Sequence, residues 1–248
     1  MIRKVKKFVT CVFTLVILLA AGKAAMAQST IFNIPTTDTV APKKGYFEFD
    51  YLLQVPGNEG VGRVQVLAPR IVVGIVPNLE AGVNVFNYRF PDGGGTYSYF
   101  QPNLKYKFIA KDDQGIAAAA GLIWYTPINH REGVDSYGLV YGNFSKKVMS
   151  STYGPRITFG PYGIVAAEDN YIGTKAGAIV GLEQPIHPRA SIVADWISGV
   201  SGFGYFTPGI SITLPGSGLL NVGYSIGNDS YDGNKNRYFF AYYGITFP

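Results

Sequence analysis

Apolar and polar residues alternate with a period of two along most of this chain, and no convincing helical periodicity follows residue 27. A chain so patterned pairs as sheet, with one face of each strand apolar and the other polar. The stretch GYFEFDYLLQ sets Phe47, Phe49, Tyr51 and Leu53 against Glu48 and Asp50. FQPNLKYKF sets Phe100, Leu104, Tyr106 and Phe108 against Gln101, Asn103, Lys105 and Lys107. TKAGAIVGLEQ sets Ala176, Ala178, Val180 and Leu182 against Lys175 and Glu183. Twelve such segments are read, at 45–54, 62–76, 79–88, 97–110, 115–127, 136–145, 154–167, 173–185, 190–198, 204–214, 218–227 and 236–247. Those at 115–127 and 136–145 alternate poorly.

Most segments are near the ~9–11 residues that a tilted strand needs to cross a bilayer. Their connections alternate in kind. Pro77-Asn78, KDDQ at 111–114, IHPR at 186–189 and PGSG at 215–218 are tight. PGNEGVG at 55–61, RFPDGGGT at 89–96, INHREGVD at 128–135 and NDSYDGNKN at 228–236 are longer and polar; the connection at 146–153 is long where a tight turn is due. Short turns at one end, longer loops at the other and an even strand count predict an all-β fold, an antiparallel transmembrane β-barrel of about 12 strands. Hydrocarbon offers backbone groups no partners, so the sheet must close and leave no edge. The last strand, with Phe239, Ala241, Tyr243, Ile245 and Phe247 on one face, is then expected to pair with the first and turn that face to lipid.

The N-terminus fits an exported chain. Arg3, Lys4, Lys6 and Lys7 precede an apolar stretch from Phe8 to Ala21, and Ala25-Met26-Ala27 is an A-x-A cleavage site. The apolar core is too short to span a bilayer, so residues 1–27 read as a cleaved signal peptide. Residues 28–44 are expected to form an N-terminal periplasmic segment, and 45–248 the barrel, in the outer membrane of a Gram-negative-type cell. The leader holds five of the 21 Lys+Arg and none of the 16 Asp+Glu, so the remainder is formally neutral. The basic balance therefore argues for no nucleic-acid partner. Cys11, the one cysteine, lies in the leader, and no disulfide is expected in the rest.

On this topology Tyr88, Tyr97, Tyr99, Trp124, Tyr125, Tyr137, Trp196, Tyr205 and Tyr238 fall near outer strand ends, and Tyr46, Tyr106 and Phe108 near inner ends. They are expected to form the two aromatic girdles of a membrane barrel. A β-sandwich core also collects aromatics, but a sandwich faces water with one side of each strand. Pro69, Pro102, Pro161 and Pro208 lie inside proposed strands, where each removes a ladder donor; bulges or bends are expected there.

The C-terminus, through Tyr243, Ile245 and Phe247, resembles the signal by which outer-membrane barrels meet their assembly machinery, with Pro248 as a departure. A second resemblance covers much of the chain weakly. IPTTDTVAPKKGYFEFDY at 34–51, GIVPNLEAGVNV at 74–85, PNLKYKF at 102–108 and PRASIVADW at 188–196 resemble the barrel family named after the MetA pathway of phenol degradation. That resemblance implies a transport barrel and names no substrate.

Thirteen polar residues have the parity of a lumen: Glu48, Asp50, Arg63, Gln65, Glu80, Asn84, Asn103, Lys105, Lys107, Arg156, Lys175, Glu183 and Asp195. Opposed charges of this kind can set a field across a water-filled pore or pair and close a narrow barrel. Twelve strands give a width between filled and open barrels, and the reading leans to a narrow channel for small solutes, passive or facilitated, with a non-conducting structural or interaction barrel as the alternative. A rim enzyme is the third reading: His130 shares an outer loop with Glu132, Asp135 and Ser136, while His187 sits in a tight turn. No cofactor or metal is expected. Asp229, Asp232 and Asn234 lack calcium-loop spacing, and DGGGT at 92–96 has no strand-to-helix context for a phosphate. Lipid and lipopolysaccharide are the expected surroundings, the latter bridged by divalent ions at Glu59, Asp92, Glu168 and Asp169.

Overall fold

The computed structural model describes residues 29–55, 63–91, 94–129, 135–167, 173–229 and 236–248. Twelve antiparallel strands form one closed barrel in chain order. They are β1 (Gly45–Gln54), β2 (Gln65–Val76), β3 (Leu79–Arg89), β4 (Thr96–Lys111), β5 (Ile116–Pro127) and β6 (Tyr137–Lys147), then β7 (Arg156–Val165), β8 (Ala176–His187), β9 (Ala190–Ile197), β10 (Tyr205–Leu214), β11 (Gly218–Gly227) and β12 (Arg237–Phe247). Every boundary lies within three residues of the sequence reading. Closure runs through β1 and β12, whose register carries Gly45 opposite Phe247 and Gln54 opposite Tyr238. The ring of Phe247 lies over Gly45, where a Cβ would collide with it. An aromatic last strand thus ends as a paired seam, not a sticky edge.

The short connections share one end of the barrel, here the turn end, where β1 begins. At Pro77-Asn78, Asn78 takes φ 68°, a left-handed value that asparagine tolerates. Asp112–Gln114 makes a single 3₁₀ turn closed by Gly115 at φ 64°. The connection at 148–155 is long at this end, as the sequence reading noted, and leaves Val148, Met149 and Tyr153 exposed.

The outer wall is apolar. Phe49, Ile71, Leu104, Phe159, Ile192, Ile210 and Tyr243 are all exposed on it. A soluble monomer rarely carries apolar patches beyond a few hundred Å², whereas this belt recurs on strand after strand. Inside, the alternate residues include buried Glu48, Glu80, Lys105 and Asp195. Charged groups inside and an apolar belt outside are consistent with a membrane barrel.

The four strand prolines do not make the bulges expected of them. Each points to the outer wall and keeps its partner on one side: Phe49 for Pro69, Val83 for Pro102, Ala178 for Pro161 and Ala194 for Pro208. On the other side the ladder skips the proline's pair and resumes in the same register. A strand residue directs its N–H toward one neighbour only, so a missing donor interrupts one ladder and leaves the other intact. The register shifts that do occur lie toward the turn end, at Gly74/Val76, Lys107/Ile109 and Pro185/His187.

Residues 29–40 correct the domain reading. They are not a periplasmic segment; they lie inside the barrel. Ile31, Ile34, Thr36 and Thr37 are each 0% exposed. The segment turns on itself: Thr30 bridges to Pro35, the Ile31 N–H donates to the Ile34 carbonyl at 3.0 Å, and the Thr36 N–H donates to the Ser29 carbonyl at 3.0 Å. Ile31, Phe32 and Ile34 join the main core with inward residues of the wall, among them Leu139, Ile179, Val193 and Phe240.

Candidate functional site

The inner segment is fastened by wall side chains from most of the circumference. Asp195 on β9 accepts the backbone N–H groups of Phe32, Asn33 and Ile34, at 2.9, 2.5 and 3.1 Å. Three successive N–H groups make a concavity for an anion, and here the anion is supplied by the wall. Glu80 on β3 holds both ends of the turn: it accepts from the Val40 N–H at 2.7 Å and from the Ser29 hydroxyl. Lys105 on β4 lies 2.9 Å from Glu80 and donates to the Ser29 carbonyl at 2.9 Å. Arg70 on β2 pairs with Glu48 at 3.0 Å and reaches the Thr30 hydroxyl at 2.9 Å. Tyr242 on β12 donates to the Ile31 carbonyl at 2.7 Å, and Thr37 shares a 2.6 Å hydrogen bond with Ser145 on β6.

Toward the start of β1 a second charged group closes round Asp38. Arg156 on β7 donates to it at 2.5 Å, Lys107 on β4 lies 3.6 Å away, and Arg156 also meets Glu183 on β8 at 3.3 Å. Burial by itself raises the Asp38 pKa. The facing Arg156, then Lys107 and Lys105, outweigh it and hold the carboxyl below its ordinary value.

Glycines make room for this segment. A Cβ on Gly181 would stand 2.6 Å from Ile34 Cδ1 and 2.7 Å from Ile31 Cδ1. One on Gly223 would stand 2.7 Å from the Phe32 ring, and one on Gly209 would strike the same ring. Phe32 in turn packs edge-on against Phe240 at 5.4 Å between centroids.

Of the thirteen residues given lumen parity, ten lie on the inner wall: Glu48, Asp50, Glu80, Asn84, Asn103, Lys105, Lys107, Arg156, Glu183 and Asp195. Seven of these grip the inner segment, its charged anchors or both. Asn84, Asn103 and Asp50 face a cavity beyond it. Lys175 precedes β8 at the loop end and donates to the Ala167 carbonyl at 2.9 Å. Arg63 and Gln65 were misassigned. β2 turns Val66, Ala68, Arg70 and Val72 inward, so Gln65 has outward parity and Arg63 is exposed before the strand. The polar residues of VGRVQVLAPR change parity within the segment, and the one embedded in the wall is Arg70, which sequence reading passed over.

The aromatics of the loop end were also misread. Of the nine assigned to an outer girdle, Trp124 and Trp196 alone point outward. Tyr88, Tyr97, Tyr99, Tyr125, Tyr137, Tyr205 and Tyr238 sit at inward positions of their strands. Tyr46, expected in the inner girdle, is 2% exposed and donates to Glu48 at 2.6 Å. Tyr106 and Phe108 do face outward, at 52% and 55%. Tyr125 stacks on Tyr137 at 4.6 Å, and Phe203, from the β9–β10 loop, meets Tyr125 edge-on at 5.4 Å. Tyr125 and Phe203, together with Tyr88, Tyr205 and Tyr238, wall a cavity of about 300 Å³ above the inner segment, floored by Asp50, Arg70, Asn84 and Lys105. A ligand pocket is of this kind, mostly apolar with a few converging polar groups. Phe203 gave no signal in the sequence, because it lies on a loop with no period to place it.

His130, Glu132, Glu59, Asp92, Glu168, Asp169, Asp232 and Asn234, like residues 1–28, lie outside the described residues. No protein-family model matches the chain, and no curated protein matches it.

Proposed function

We propose that this protein is an outer-membrane channel for small solutes whose lumen is closed at rest by its own residues 29–40. The observation that carries the reading is what fills the barrel. Charged and polar side chains of seven strands meet residues 29–40, a piece of chain that belongs to no strand of the wall. A barrel of this width whose filler can leave has a pore beneath it. The gripping contacts are mostly ion pairs and hydrogen bonds, which water can replace, and the aromatic vestibule offers a solute a place to wait above them. The chemistry needs no catalytic group: the inner wall would guide solutes by width and field.

The likeness to the barrels named after the MetA pathway supports transport and leaves the substrate open; its first stretch, 34–51, runs through the inner segment itself. The closing strand β12, with Tyr243, Ile245 and Phe247 outward, would be what barrel-assembly machinery meets.

The test is conductance in a planar bilayer. The intact chain should be silent or open rarely, and a chain lacking residues 29–40 should give discrete, frequent steps. A truncated chain that still migrates as a folded barrel and stays silent would refute the channel and leave a structural or interaction barrel.

A further inference from the structure

The vestibule floor holds one more acidic group than basic. Glu48, Asp50 and Glu80 bring three carboxylates to the middle of the barrel, and Arg70 and Lys105 bring two cations. Arg70 pairs with Glu48, and Lys105 with Glu80. Asp50 is the carboxyl group that takes part in neither pair. It is 6% exposed, it borders the cavity, and its Oδ1 has no hydrogen-bond partner among the described residues. A buried acceptor in that state carries a desolvation cost that a donor arriving from the cavity would remove. Asp50 also follows Glu48 by two residues on the same face of β1, and the Arg70 guanidinium is paired with Glu48.

The walls above Asp50 suit the same ligand. Tyr88, Tyr125, Tyr205, Tyr238 and Phe203 surround the cavity with rings. Ring faces attract cations and also pack against apolar bodies, the more strongly where water is excluded. We propose that the vestibule is a binding site for a small monocationic amine with an aromatic body, its ammonium donating to Asp50 and its ring lying among the tyrosines. The proposal deepens the channel reading by naming its solute class, and rests on that reading only for passage, not for binding.

The experiment is calorimetric titration of the full chain in detergent at neutral pH with three probes of one shape: 2-phenylethylammonium, 2-phenylethanol and 3-phenylpropionate. The amine should bind saturably and at least tenfold more tightly than the other two. Equal or tighter binding of the alcohol or the carboxylate would overturn the cation assignment, and no saturable binding of the amine would overturn the site. Asp50→Asn should weaken the amine at least tenfold and leave the alcohol little changed; unchanged amine affinity would overturn Asp50 as the contact. Where Asp50→Asn does not form a heat-modifiable barrel, Tyr88→Leu takes its place, and unchanged amine affinity there would overturn the aromatic wall. Amine binding by a barrel that never conducts, even without residues 29–40, would sink the channel and leave the site standing.

Discussion

Asp195 satisfies three consecutive backbone donors that would otherwise be buried without acceptors. Each buried donor left unpaired costs about 1–3 kcal/mol. Asp195→Ala is therefore expected to loosen residues 29–40 while β9 stays paired. Amide exchange at 32–34 should rise by tenfold or more with little change at 190–197; equal loss of protection in both would show that Asp195 supports the wall instead. Asp38 makes a second, pH-dependent prediction. Its pKa is lowered when the segment is docked, beneath an ordinary value of 3.8. A depressed carboxylate stabilises the docked state above the ordinary value and ceases to do so as pH falls toward the lowered one. On the proposed channel reading, opening should accordingly increase on acidification below about pH 4, in the acid range that begins at the ordinary carboxylate value, and Asp38→Asn should blunt that step. An opening probability flat from neutral pH to pH 3 in the wild type would show that the Asp38 contacts contribute nothing to closure.

Strand parity explains what could be read in the sequence and what could not. FQPNLKYKF and GYFEFDYLLQ alternate cleanly, so Lys105, Lys107, Glu48 and Asp50 fell inward as expected. In β2 both faces are apolar, and two polar residues near its start set the parity wrong. At the loop end height was legible and direction was not: tyrosines placed near strand ends read as a girdle because their parity was not applied. Residues 29–40 carried no period at all, and their partners lie far along the chain, 163 positions away at Asp195 and 211 at Tyr242. Their trace was the inward glycines Gly181, Gly209 and Gly223, which leave gaps in strands where a side chain would face the lumen. Gly181→Leu should push Ile31 and Ile34 out of place, and steric overpacking of this kind costs ~1–3 kcal/mol. It should raise the frequency of conductance steps in the bilayer without altering heat modifiability. Unchanged gating in a folded Gly181→Leu barrel would mean that the segment is not held by its fit to β8.

At the scale of the molecule, a closed barrel gives the wall a stability that does not depend on what it encloses. Every strand is paired on both sides, and the seam between β1 and β12 runs the whole of β1. The enclosed segment is held by contacts of another kind, ion pairs and hydrogen bonds around Ile31, Phe32 and Ile34, whose burial is worth ~1.5–3 kcal/mol for each side chain. Two parts with separate sources of stability can separate without unfolding the whole, and this is what a plug requires. The idea can be tested by preventing the separation. Thr37 Oγ1 and Ser145 Oγ stand 2.6 Å apart, from the segment to β6. Cysteines at both positions would bring two sulfurs within bonding reach, given an S–S bond of ~2.05 Å, and the chain has no cysteine beyond Cys11 to compete. The oxidised Thr37→Cys/Ser145→Cys barrel should be silent under every condition that opens the wild type, acid included, and dithiothreitol should restore opening. Steps that persist in the oxidised barrel would show that solutes pass by a route that residues 29–40 do not block.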